Sequence, residues 1–164
     1  MKQALILTGT PGTGKTTIAD LLVEKDYNVV NIGELVKEKK LFDFFDEERD
    51  SYVVNDGKLN VVLTKLIEKN TSSYPLVIDG HVARLLPMLV SKCIVFRCSI
   101  YNLRQRLVVR GYNDSKIDEN VEAELMEVIL TDMMQLYGKD LVSVVSTDVS
   151  IEETFGEVLA ILAG

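Results

Sequence analysis

Eight consecutive residues, Gly9-Thr10-Pro11-Gly12-Thr13-Gly14-Lys15-Thr16, have the spacing G-x-x-x-x-G-K-[ST]. Three glycines let the backbone curl so that its N–H groups point inward at phosphate oxygens. A helix starting near Lys15 adds the positive end of its dipole. In such a loop Gly12, Thr13 and Gly14 wrap the phosphates and Lys15 reaches the β- and γ-phosphates of a nucleoside triphosphate. The Thr16 hydroxyl ligates Mg2+, and Thr17 sits near the α-phosphate. The alternative is a glycine-rich turn with no ligand. An apolar strand directly before the loop and an amphipathic helix directly after it favour the phosphate site.

Further along, Asp79 ends the apolar run Pro75-Leu76-Val77-Ile78. A carboxylate there lies at the C-terminal edge of a parallel sheet, where open α/β sheets bind ligands. Asp79 is therefore the natural partner for Mg2+, through a water; it could also cap a helix after Gly80. His81 is the single histidine. A lone histidine is commonly structural, but one beside a magnesium-type aspartate suits the γ-phosphate. There it would orient an attacking water or couple the metal site to the loop beyond. Arg106 and Arg110 are four apart on an expected helix, so they share one face. Two guanidinium groups at a helix end suit a γ-phosphoryl group, whose charge spreads over its equatorial oxygens during transfer. The competing reading is a solvated basic face, since Arg104 is near.

These side chains need a frame to hold them. Gln3 to Thr8 reads as a strand buried on both faces, because it is apolar without alternation. Asn28–Ile32, Pro75–Asp79, Lys92–Arg97 and Leu141–Ser146 read as four more strands. Helical spacing appears at Ile18, Leu21 and Leu22, at Leu59 through Ile67, and over Tyr101–Val109. One long helix is expected from about Asp118, with Val121, Leu125, Val128, Ile129, Met133 and Leu136 inward. Ser150-Ile151-Glu152-Glu153 is a capping box opening a last helix. Strands alternating with helices indicate an α/β fold, a five-stranded parallel sheet with helices on both faces. The charged, weakly periodic segments Lys37–Asp50 and Arg110–Asp118 read as excursions near the ligand side.

The chain has 164 residues, 47% hydrophobic and 26% charged, which excludes a disordered or fibrous protein and fits one domain over 1–164. Its formal net charge of −7 argues against a broad nucleic-acid-binding face, while leaving room for one local cationic site that holds a nucleotide. Cys93 and Cys98 are five residues apart on an expected strand, roughly 16 Å, too far to pair; they read as core thiols of a reducing compartment. Two cysteines and one histidine make no four-ligand zinc set. No apolar run approaches the length of a membrane span, and the protein is expected in the cytoplasm, or also the nucleus in a eukaryote.

Taken together, these residues resemble the adenylate kinase isoenzyme 6 family, small nucleotide kinases that also act as ATPases in ribosome assembly. The likeness is carried by Thr8 through Thr17, Asn31-Ile32-Gly33-Glu34-Leu35, Asp46-Glu47-Glu48, Asp79-Gly80-His81 and Arg106 through Arg110-Gly111-Tyr112-Asn113. It spans nearly the whole chain. It implies a P-loop NTPase fold of nucleoside monophosphate kinase type, with an NMP-binding segment near Asn31–Val54 and a short lid near Val109–Glu119. It implies Mg2+-dependent transfer of a phosphoryl group from ATP to AMP, with a loose choice of nucleotide, and ATP hydrolysis that depends on Asp79 and His81. It also implies transient binding of a strongly basic small-subunit platform ribosomal protein during late maturation of the small subunit, a partner the acidic chain would suit. Two other readings compete: an ATPase-only assembly factor, and a small-metabolite kinase of shikimate or gluconate type. The Asp-x-His and Arg-Gly-Tyr-Asn segments count against the last.

Overall fold

The computed structural model describes residues 1–81 and 84–164. Five strands, β1 (Ala4–Thr8), β2 (Val29–Asn31), β5 (Leu76–Asp79), β6 (Val90–Arg97) and β7 (Val142–Ser146), form one sheet in the order β2-β5-β1-β6-β7. Every pairing in it is parallel. The expected five-stranded parallel sheet with helices on both faces is thus what the chain forms. Every residue of β1 is buried, as its unbroken apolar run requires of a central strand covered on both sides.

Alternate residues of β1 feed two cores. Leu5 and Leu7 pack with Ile18, Ala19 and Leu22 of α1 (Lys15–Val23) and Val158 of α7 (Ile151–Ala163). Ala4 and Ile6 face α2 (Ile32–Glu38), α3 (Asp56–Lys69) and α6 (Val128–Tyr137), through Ile32, Leu63 and Met133. Ser150 caps α7 as its spacing predicts, its hydroxyl accepting the Glu153 N–H at 3.1 Å. A third, smaller cluster joins Leu103 and Leu107 of α4 (Ile100–Val109) to Ile117 and Val121 of α5 (Asp114–Leu125). Cys93 and Cys98 are free and buried.

Two segments differ from expectation. The stretch Lys37–Asp50, read as a weakly periodic excursion, supplies the first strand and the turn of an antiparallel hairpin, β3 (Phe42–Asp46) and β4 (Ser51–Val54). Aromatic packing holds it: the Tyr52 ring lies 4.4 Å from Phe42 and 5.0 Å from Phe45, centroid to centroid. The single long helix expected from Asp118 is two helices, α5 and α6, broken at Met126–Glu127. Leu125 and Val128, expected inward, are 67% and 52% exposed. A residue outside the segment holds the break. The Arg97 guanidinium pairs with the Glu124 carboxylate, donates to the Glu124 carbonyl at 2.8 Å, and pairs with Glu127 at 2.8 Å. Glu127 turns left-handed at φ 55, and the Glu124 carbonyl takes the Glu127 N–H at 3.1 Å, a three-residue bond in place of the four-residue bond of a continuing helix. Asn113 caps α5 by accepting the Lys116 N–H at 2.8 Å, so α5 also begins earlier than expected.

Candidate active site

The parallel register brings the C-terminal ends of β1, β2 and β5 to one edge, with Leu7 and Asn31 beside Asp79. The glycine loop leaves β1 there and enters α1. Gly9 must be glycine: it has φ 146, and a Cβ on it would stand 2.6 Å from the Phe96 carbonyl oxygen. At Gly12, φ 92, a Cβ would press on Leu107 and Leu103 at 3.0 and 3.1 Å, so α4 can lie directly on the loop.

Lys15 is buried, and its Nζ donates to the carbonyls of Gly9 at 2.8 Å and Thr10 at 3.3 Å. Burial pushes its pKa down to about 8; Asp79 opposes that shift and Arg110 adds to it. The sign gives a prediction. Below pH 8 the free protein offers phosphates an ammonium; as pH rises through 8 it loses that charge, and a bound triphosphate must draw the proton back. The ATP dissociation constant is expected to rise above pH 8, by up to about tenfold per pH unit, with uptake of one proton on binding. Titration calorimetry from pH 7 to 9.5 in two buffers of different ionisation enthalpy checks it; an affinity flat across that range counts against a cationic Lys15 on the phosphates.

Asp79 is 2% exposed, and its Oδ2 accepts from the Thr16 hydroxyl at 3.0 Å and the Asn31 amide at 3.0 Å. The segment after Gly80, where a cap by Asp79 is open from sequence, lies in part outside the described residues; among these the next helical turn begins at Pro87. A carboxylate and a hydroxyl at hydrogen-bond distance are hard oxygen donors that fit Mg2+, an ion that keeps several of its waters and takes one or two protein oxygens. No group of three or more carboxylate, cysteine or histidine ligands occurs among the described residues.

Three hollows meet at this edge. A cavity of about 490 Å3 lies between the loop, α4 and the β7–α7 connection, lined by Gly12, Thr17, Arg106, Thr147, Val149 and Ile151 among others. A second of about 540 Å3 lies between α2 and the β3–β4 hairpin, lined by Ile32, Val36, Lys37, Phe45, Tyr52 and His81 among others. A smaller polar cleft of about 190 Å3 joins them. It shares Gly12, Gly14 and Arg110 with the first and Gly80 and His81 with the second.

The site residues named from sequence divide among these hollows. Gly12, Gly14, Lys15, Thr16, Asp79, His81 and Arg110 line the cleft, and Thr17 the first cavity. Part of the His81 ring faces solvent. Desolvation by the cleft walls, and then the Lys15 charge, lower its pKa from the ordinary value, which favours the neutral ring. Thr13 differs: it is fully buried, and its N–H and hydroxyl both go to the Thr10 carbonyl, at 3.2 and 2.7 Å, so its side chain braces the loop. Arg106 also departs from the pairing with Arg110. Its guanidinium donates to the Thr147 hydroxyl at 2.9 Å, the Thr147 carbonyl at 2.8 Å and the Gly12 carbonyl at 3.3 Å. These oxygens hold it on the wall of the first cavity, whereas Arg110, one turn on, makes no side-chain hydrogen bond or ion pair among the described residues and lines both cavity and cleft. Sequence reasoning missed the apolar wall of Val149 and Ile151. It also missed Asn31 as a partner of Asp79, which only strand register reveals.

The chain is similar in sequence and in fold to known proteins. A family model described as an AAA domain matches residues 5–127. The chain is 37% identical over 147 residues to Adenylate kinase isoenzyme 6 homolog FAP7 of Saccharomyces cerevisiae, covering 88% of this chain and 73% of that protein. It is 36% identical over 160 residues to a putative adenylate kinase of Methanosarcina acetivorans, covering 95% and 84%. Among solved structures, shikimate kinase from Bacteroides thetaiotaomicron superposes with a TM-score of 0.62 over the full length of each chain at 15% identity, a likeness of fold alone. No helix among the described residues is long and apolar enough to cross a membrane.

Proposed function

The chain belongs to the adenylate kinase isoenzyme 6 family, and from that premise we propose that it transfers the γ-phosphoryl group of ATP to AMP or another nucleoside monophosphate, and hydrolyses ATP when no acceptor is bound. The observation that carries this reading is the pair of nucleotide-sized cavities joined by one small polar cleft. ATP occupies the cavity beside Arg106 and Val149 with its phosphates in the cleft. The monophosphate occupies the cavity between α2 and the hairpin.

The reaction is positioning plus electrostatics. Lys15 exchanges the Gly9 and Thr10 carbonyls for β- and γ-phosphate oxygens. Thr16 and Asp79 would hold Mg2+, which when bound neutralises charge on the phosphates. Arg110 faces the γ-phosphoryl group as charge spreads over its oxygens. An oxygen of the AMP phosphate bonds to the γ-phosphorus while the bond from that phosphorus to the β,γ-bridging oxygen breaks, leaving two ADP. The lid near Val109–Glu119 excludes water as it closes. A neutral His81 at the junction accepts a hydrogen bond from any water that enters, and so orients it for hydrolysis.

A coupled assay tests the proposal: ADP formed from ATP plus AMP, against phosphate released from ATP alone. If AMP leaves ADP production unchanged, the kinase reading fails and an ATPase-only assembly factor takes its place. His81→Ala is expected to lower phosphate release at least about tenfold and transfer to AMP no more than about threefold; equal losses would contradict the role given to His81. The proposal extends, on family likeness and the net charge of −7, to a transient partner, a basic small-subunit platform ribosomal protein.

A further inference from the structure

Asn31 spends one amide on two elements. It ends β2 beside Asp79 and caps α2, its Oδ1 accepting the Glu34 N–H at 3.0 Å. Its Nδ2 donates to Asp79 Oδ2 at 3.0 Å. The opposite orientation would set the amide oxygen against a carboxylate and the NH2 against an N–H, so the amide is fixed. From the other side the Thr16 hydroxyl, at the start of α1, donates to the same Oδ2 at 3.0 Å. One oxygen atom therefore joins α1 to α2. A second contact runs parallel to it. The Gly80 backbone lies so close to Ile32 that a Cβ on Gly80 would stand 2.7 Å from the Ile32 Cβ, so the first residue of α2 rests on the chain just past Asp79. Ile32, Gly33, Val36 and Lys37, all on α2, line the acceptor cavity.

We infer that Asn31 is a positioning residue that ties α2, and with it the acceptor cavity, to the state of Asp79, so that the donor nucleotide and the monophosphate bind with positive coupling. The inference rests on the donor and acceptor assignment proposed above. Its logic is a shared anchor. Asp79 Oδ2 holds the first turn of α1 through Thr16 and the N-terminus of α2 through Asn31. Whatever fixes the Asp79 carboxylate in the donor site therefore also fixes the N-terminus of α2, and the acceptor meets a helix already ordered.

The test is calorimetric and needs no turnover. AMP binding is measured with and without Mg2+ and a non-hydrolysable ATP analogue, in the wild type and in Asn31→Ser. Serine keeps the helix cap and is too short to reach Asp79. Loading the donor site is expected to tighten AMP binding at least about fivefold in the wild type and less than about twofold in Asn31→Ser, whose unliganded melting temperature stays within a few degrees of the wild type. Equal coupling in the two proteins overturns the inference, because a residue that only caps α2 would behave in that way. Should Asn31→Ser fail to fold, Asn31→Asp gives the same readout, since it caps equally well and sets an acceptor against Asp79. Wild-type AMP binding that ignores the donor site rejects the coupling and leaves the kinase reading intact. A wild type that binds the ATP analogue and no AMP rejects both.

Discussion

Lys15→Met is expected to lower kcat/KM by about 10²–10³, for transfer to AMP and for hydrolysis alike, without lowering the melting temperature. The loss follows from the place of the ammonium: among the described residues Lys15 is the buried cation of the phosphate cleft, on a loop whose other donors are uncharged. Removing one preorganised donor of a developing negative charge costs about 10²–10³. The stability half follows from the pKa. Depression from 10.5 to about 8 means that burial disfavours the protonated form by roughly 3 kcal/mol relative to the neutral one. The sign is that of a buried base. Between pH 8 and 10.5 the unfolded chain holds a proton that the folded chain has lost, so stability rises with pH across that window. Methionine keeps the apolar stem and drops the buried charge. Coupled-enzyme kinetics and a thermal melt check the two halves, and a melting temperature well below that of the wild type would contradict the second.

Asp79→Asn is expected to raise the Mg2+ concentration for half-maximal activity by about 10- to 100-fold, the usual cost of losing a group that orients or ligates a metal, and to lower the two activities equally. The carboxylate is 2% exposed, so neither solvent nor another carboxylate ligand cluster replaces it. An amide there can still accept from Thr16 or Asn31, so the edge of the sheet survives while the charge does not. A magnesium titration of ADP formation, run with and without AMP, reads both effects. The contrast with His81→Ala is informative: loss of the charge that serves each reaction scales them together, whereas loss of the water-facing ring separates them. A magnesium dependence that does not move would take Asp79 out of the metal site.

How much of this was legible in the sequence follows from the range over which each feature is encoded. The glycine loop is contiguous, so its spacing carries its shape. Asp79 closes an unbroken apolar strand, which sets it at the sheet edge before any contact is known. Arg106 and Arg110 share a helical face, but what separates their roles is Thr147, which follows β7 and lies forty-one residues away in sequence from Arg106. Periodicity through Val121–Leu136 is continuous; the break is marked by the left-handed Glu127 and held by Arg97, on another element. The β3–β4 hairpin escaped because its alternation is diluted by the acidic turn Glu47-Glu48-Arg49-Asp50, and its register is secured by rings that face each other only once it has folded. Asn31 reads as part of a short strand in sequence; that it ends the strand, caps α2 and meets Asp79 emerges only in the parallel register.

The break at Glu127 has a mechanical consequence. Unbroken, residues 114–137 would form a rod of roughly 36 Å, rooted at Met133 and Tyr137 in the core and ending beside the proposed lid. Any swing of its outer end would then lever those side chains out of their sockets. With the rod cut, α6 stays bedded on the sheet through Met133 and Tyr137, α5 packs instead on α4 through Ile117 and Val121, and Arg97 pins the joint between them. If the proposed lid closes, the load falls on α4 and α5, and the packing beneath α6 is spared.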